Sequence, residues 1–214
     1  MAIVQNPITG RTKGKFSTAV FSKQFGKNTM RSKPVEVKNP RTLAQREQRA
    51  KFSLMVELSR KFLSFIRTGF KQAAVGMSEF NSFMQTNILN VITGAYPDYA
   101  IDYTKLIVSK GTLTGAEGFT ATAGAGHIVT MDWTDNTGTG DALATDKALM
   151  LILNPNSPNV VANTTLKTRA DGTYDLTVPV AWVGEEVHVY LSFMTEAGDK
   201  VADSSYVGAV TILA

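Results

Sequence analysis

The chain has no cysteine and only two histidines, His127 and His188, in 214 residues. Without thiols there is no disulfide framework, no thiolate metal site and no cysteine nucleophile. Acid–base chemistry is short of material too, because a general base needs an orienting partner beside it. His188 sits in EVHVYLSF opposite the face of Val187 and Val189, which predicts an outward strand residue. His127 follows the glycine-rich GFTATAGAG and reads as a loop-end residue. No run approaches the ~18 apolar residues of a membrane span, and MAIVQNPITGRTKGK lacks the basic-then-apolar order of a secretory leader. The expectation is a non-enzymatic protein made in the cytoplasm, with no catalytic residue, no cofactor and no membrane partner.

Phosphate and metal motifs are also incomplete. GTG at 138–140 and GAG at 124–126 lack the further glycine and the lysine of a phosphate loop. Asp132, Asp135 and Asp141 place three carboxylates in DWTDNTGTGD, but the spacing departs from a calcium-loop pattern and reads as a polar turn, so no metal site is predicted.

What is present is charge, unevenly placed. The net charge is +4, yet residues 1–71 hold 16 basic and 3 acidic side chains, and residues 72–214 hold 6 basic and 15 acidic. One part is therefore +13 and the other −9, a division suited to a polyanion at the basic end or to an acidic neighbouring copy.

The first 37 residues alternate short β-prone runs with Gly and Lys, predicting a hairpin with strands near 15–22 and 28–37 and Gly26 in the turn. A single hairpin is marginal in water and needs another surface. Its Lys13, Lys15, Lys23, Lys27, Arg31 and Lys33 form a cationic edge. Asn39-Pro40 ends the strand, and Thr42 with Gln45 predicts a capping box opening one long helix over about 42–71. At 100° per residue, Arg46, Arg49, Arg60, Arg67 and Lys71, with Ser53, Glu57 and Ser64, fall within an arc of about 80°. Leu54, Met55, Leu58, Phe62, Phe65, Ile66 and Phe70 fill a wide apolar remainder. Such a rod, about 45 Å long, carries more apolar surface than its own domain covers easily, which predicts burial between copies. Gly69 and Gly76 loosen its exit, Ser78 caps a second helix in SEFNSFMQTNILNVITG, and TGAYPDYAIDYT reads as a boundary.

From Lys105 the hydrophobic period becomes two. KLIVSKGTL, GHIVTMDW, DKALMLILN, VANTTLKT with TYDLTVPV around Ala170-Asp171-Gly172, EVHVYLSFMT, and KVADSSYVGAVTIL predict about seven strands. Val187, Val189, Leu191 and Phe193 share the inner face of one, and Trp133 or Trp182 is the expected buried indole. The predicted fold is α+β: an N-terminal β-hairpin and αα-hairpin over 1–100, then an acidic immunoglobulin or fibronectin III-like β-sandwich over 101–214.

The order GKFSTAVFSKQFGKNTMRSKP, NPRTLAQREQRAKFSLM, FIRTGFK, MSEFNSFMQTN and VHVYLSFMTEAGDKVADSSYVG resembles an uncharacterised protein family of Bacteroides-group bacteria and their phages. That resemblance supplies no activity or site; it implies a phage setting. The expectation is a structural protein of a virion, such as a capsid, neck or tail accessory protein. It would form a homo-oligomer through the basic module and meet copies of itself and other virion proteins. The alternative is a sequence-indifferent nucleic-acid binder using the Lys/Arg row.

Overall fold

A computed structural model describes residues 2–3, 14–24, 26–36 and 39–214. The chain divides into two compact units, Met1–Gln45 and Arg46–Ala214. The expected division near residue 100 is therefore displaced, because the helices expected to form a separate module share a core with the β-strands that follow them.

In the first unit, β1 (Ala2–Ile3), β2 (Gly14–Phe16), β3 (Ala19–Gln24) and β4 (Lys27–Ser32) form an antiparallel sheet in the order β1-β4-β3-β2. The predicted first strand is thus two, split at Ser17-Thr18, where Ser17 has φ 50°. Gly26, at φ 80°, makes the β3–β4 turn as expected, since a side chain is strained there. Of the residues of this unit whose burial is described, none is fully buried.

The second unit begins on a helix. α1 spans Leu43–Lys61 and starts as Thr42 Oγ1 accepts from the Gln45 amide at 3.4 Å. The reciprocal half of the capping box is not made: Gln45 Oε1 has no partner. The single helix over 42–71 is also corrected. Phe62, at φ −134° and ψ 38°, interrupts it, and α2 runs Leu63–Gly69. α3 (Glu79–Asn87) is capped by Ser78, whose side chain accepts from the Asn81 amide. The tyrosine-rich segment expected as a boundary is a hairpin, β5 (Ile92–Ala95) with β6 (Asp98–Ile101).

Seven strands follow: β7 (Glu117–Gly124), β8 (Ile128–Thr134), β9 (Lys147–Leu153), β10 (Val160–Asn163), β11 (Thr173–Thr177), β12 (Glu186–Met194) and β13 (Ser205–Thr211). They make a four-stranded sheet β10-β9-β12-β13 and a three-stranded sheet β11-β8-β7, all neighbours antiparallel. The strand count was expected, but two members differ. Residues 105–113 are not a strand, and the glycine-rich 117–124 is one. Nor do 160–163 and 173–177 pair: β10 joins β9 and β11 joins β8, so the Ala170–Gly172 turn crosses between sheets.

The two sheets enclose one core, with Met150, Ile152, Val189, Leu191 and Phe193 facing Val129, Met131 and Trp133. Both tryptophans are buried. The other face of β9 and β12 presents Leu149, Leu151, Leu153 and Tyr190 to Met55, Leu58, Phe62, Phe65, Ile66, Phe70 and Phe83. Phe83 is the hub, meeting Phe62 and Phe70 edge-on at 5.7 and 5.5 Å. Gly69 does not loosen the exit as expected but permits a close approach. A Cβ there would lie 2.7 Å from the Val108 carbonyl, and the Gly69 carbonyl accepts from the Lys110 amide at 2.9 Å.

Phe83→Ala is expected to cost about 3–5 kcal/mol in a urea titration, because the ring is fully buried and its neighbours are rigid. Phe52→Ala, at a residue 48% exposed on α1, is expected to cost under about 1 kcal/mol.

Candidate functional site

The expected apolar assembly face is covered by its own chain. Met55, Leu58, Phe62, Phe65, Ile66 and Phe70 are each 2% exposed or less, and Leu54 is half-buried. The helical wheel placed the faces correctly, since Arg46, Ser53, Glu57, Arg60, Ser64, Arg67 and Lys71 are all exposed, as is Arg49. Its inference about burial between copies fails because the four-stranded sheet supplies the cover.

The predicted cations fall into separate groups. Lys13 lies outside the described residues. Lys15, Lys23, Lys27, Arg31 and Lys33 are exposed in the first unit. Cross-strand pairing aligns Lys15 with Val20 and Val20 with Arg31, and Gln24 with Lys27. With the two-residue alternation of strands, Lys15, Arg31 and Lys27 therefore share one face with Ser22 and Thr29. Ser22 and Thr29 bond through their hydroxyls at 2.6 Å. Ala19, Phe21 and Met30 take the opposite face together with Lys23. On α1 and α2, Arg60 lines a cavity of about 470 Å³ with Glu57, Lys61 and residues 155–158. Lys61 Nζ is engaged by the Pro155 carbonyl at 2.9 Å, and Lys71 Nζ by the Gly198 carbonyl at 2.7 Å. Burial lowers the Lys61 pKa, against the opposing pull of Glu57.

Other polar candidates are structural in their contacts. Among the described residues no cluster of three His, Asp or Glu side chains could hold a metal. Asp135 accepts from the Thr137 amide at 3.0 Å, while Asp141 accepts from the Thr114 amide and hydroxyl at 2.9 Å each and from Lys200 at 3.2 Å. His188 is not outward in solvent as expected. It is 9% exposed, stacked on Tyr103 at 4.4 Å and bonded through Nδ1 to the Tyr206 hydroxyl at 3.0 Å, and burial lowers its pKa. His127 stands in the β7–β8 turn at φ 52°.

Sequence reasoning missed two features. One is Arg169, fully buried in TRADG, where the composition signals only a turn. Its guanidinium pairs with the equally buried Asp146 at 3.2 Å, donates to the carbonyls of Gly115 and Thr114, and lies 3.9 Å over the Phe193 ring. The other is the outer face of the β11-β8-β7 sheet, where Thr120, Thr122, Thr130 and Thr177 accompany Asp132 and Asp175. The period-two pattern in TATAG, IVTMDWT and TYDLT was its available signal.

Two outcomes follow from these contacts. Arg169→Met leaves Asp146 as a buried unpaired carboxylate and is expected to cost about 3–5 kcal/mol by chemical denaturation, with part regained on adding Asp146→Asn. The Thr114 hydrogen bonds, then Lys200, hold the Asp141 pKa down to about 2 from 3.8. A depressed carboxylate stabilises the fold above its unfolded pKa and stops doing so as pH falls through the folded one. Asp141→Asn should therefore have a lower Tm than the parent above about pH 4, with the difference closing toward pH 2, by calorimetry.

Comparison with known proteins gives a family but no activity. No curated protein matches the chain. Among solved structures, the solution structure of an fn3 domain of human contactin 1 is similar, at 5% identity and a TM-score of 0.35. The match covers 57% of this chain and 94% of that one. Among the described residues no helix is long and apolar enough to cross a membrane. Residues 11–208 match DUF6266, a family of unknown function, and the chain belongs to that family.

Proposed function

We propose that the protein is a non-enzymatic structural protein that assembles with copies of itself through its basic N-terminal unit. The observation that carries this reading is that none of the first unit's side chains whose burial is described is fully buried. A small sheet whose described side chains are at most partly buried is marginal in water, because backbone ordering costs about 1–2 kcal/mol per residue and burial is what offsets it. Such a unit is suited to complete its packing on another surface. Charge points the same way: Met1–Gln45 carries nine basic residues and one acidic, net +8, and Arg46–Ala214 carries thirteen basic and seventeen acidic, net −4. Opposed potentials on one chain steer copies toward each other in a fixed orientation.

The setting is a phage virion, as a capsid, neck or tail accessory protein, which rests on the resemblance of the sequence motifs. The seven strands are read as a fibronectin III-type spacer from their three-plus-four division and sheet orders. A second reading has its own observation, the shared face of Lys15, Lys27 and Arg31, which suits a phosphate backbone.

Sedimentation velocity at micromolar concentration should give a defined oligomer or polymer that weakens with salt, since exposed charges are screened over about 10 Å at 0.1 M. Electron microscopy of the same material should show rings, tubes or filaments. A stable monomer at all salt concentrations would sink the assembly reading. If that monomer binds DNA with a steep salt slope, and Arg31→Ala lowers the slope by about one, the phosphate clamp is the function.

A further inference from the structure

We infer that the surface receiving the cationic N-terminal face is the outer face of the three-stranded β11-β8-β7 sheet on another copy of the chain. This rests on the assembly reading and specifies its contact. The strands of that sheet contain no Lys or Arg; their charged residues are Glu117, Asp132 and Asp175. All three face outward. Val129, Met131, Trp133 and Leu176 alternate with the outward positions and are buried, while Glu117 and Asp175 are exposed and Asp132 half-exposed.

Register puts these carboxylates on one line. Asp175 pairs with Thr130, Asp132 lies two residues further along β8, and Glu117 pairs with Thr134 two residues beyond that. One acid per strand, each stepped by two residues, makes a diagonal row with neighbours about 7–8 Å apart. Between them stand short hydroxyl side chains, and the Thr130 hydroxyl donates to Asp175 at 2.6 Å, fixing its orientation. The surface is an anionic, hydroxyl-rich sheet face that also carries Ile128, with Lys167 beside Asp175 at its edge and a bulge between Glu117 and Thr120.

The first unit presents its counterpart. β2, β3 and β4 contain no Asp or Glu. Lys15 and Arg31, on either side of Val20, stand two strands apart, about 10 Å, with Lys27 four residues from Arg31 on β4. Three cations on one face meet three carboxylates on another, with Val20 between Lys15 and Arg31 and the Ser22 and Thr29 hydroxyls between Arg31 and Lys27. Because the two faces are different, copies meet donor face to acceptor face, either reciprocally about a two-fold axis or repeating from copy to copy as a larger ring or a filament. Each face offers a few hundred Å², below the ~800 Å² per partner of a stable pairwise interface, so single contacts are weak and salt-sensitive.

The test uses full-length chains with charge neutralised and shape kept. The donor variant is Lys15→Gln, Lys27→Gln, Arg31→Gln; the acceptor variant is Glu117→Gln, Asp132→Asn, Asp175→Asn. Each alone should self-associate at least about tenfold more weakly than the parent in sedimentation velocity, with the thermal unfolding of the Arg46–Ala214 unit unchanged. Mixed in equal amounts they should form a 1:1 heterodimer and stop, since one intact donor face remains for one intact acceptor face. Thr122→Arg, which places a cation beside the acid row, should block assembly as the acceptor variant does. If the parent assembles and the acceptor variant assembles equally well, this contact is wrong and the assembly reading stands. Loss of assembly in both variants without restoration on mixing also overturns it. A parent that stays monomeric removes both.

Discussion

β9 and β12 carry apolar side chains on both faces, and this two-sided burial dictates what the other elements of the second unit must do. Along KALMLIL, alternate residues face the three-stranded sheet and the helices, and no position from Ala148 to Leu153 is exposed. Strands of this kind need a cover on each side, at roughly 25 cal/mol per Å² of apolar area otherwise left in water. The second sheet covers one side. On the other, α1, α2 and α3 converge, with Phe83 holding Phe62 and Phe70 edge-on. The break at Phe62 and the close approach at Gly69 belong to that covering layer, and Tyr190 of β12 lies buried beneath it.

The same constraint explains what was legible in the sequence. Periodicity within an element is a local property, and it placed the exposed edge from Arg46 to Lys71 and the inward row Val187, Val189, Leu191 and Phe193 correctly. What covers an apolar face is not local. The helix face reads as too wide for its domain when EVHVYLSF is given one buried side and DKALMLILN is taken only as a strand. Their near-continuous apolar runs were the sign of two. His188 was misplaced for the same reason: the face opposite Val187 and Val189 lies under Tyr103 and Tyr206 rather than in water.

Pairing was less legible than strand identity. β10 and β11 are separated by a turn-rich segment that resembles a hairpin connection, yet the chain uses it to pass from one sheet to the other. The capping interaction of Thr168 and the burial of Arg169 fix that crossing. A fully buried arginine has no compositional signal, since its cost is offset by carbonyls and a carboxylate from distant segments, Thr114, Gly115 and Asp146. Of the candidate site, the basic residues were legible one by one. Their division between two faces of a sheet was not, because it depends on the Ser17-Thr18 break and the resulting register.

The two units thus stand in contrast. In Arg46–Ala214 most large apolar side chains are packed into two cores, and the outer face of the β11-β8-β7 sheet is mainly threonine and carboxylate, with Ile128 at one end. In Met1–Gln45 the sheet has Lys15, Lys27 and Arg31 on one face and Phe21 and Met30 on the other. Opposite charge on flat faces of one molecule cannot be satisfied symmetrically by a face-to-face dimer of like surfaces, which would bring cation to cation and acid to acid. The charge pattern therefore favours pairing of unlike faces, reciprocally about a two-fold axis or repeated from copy to copy, and in either case more than one weak contact acts at once.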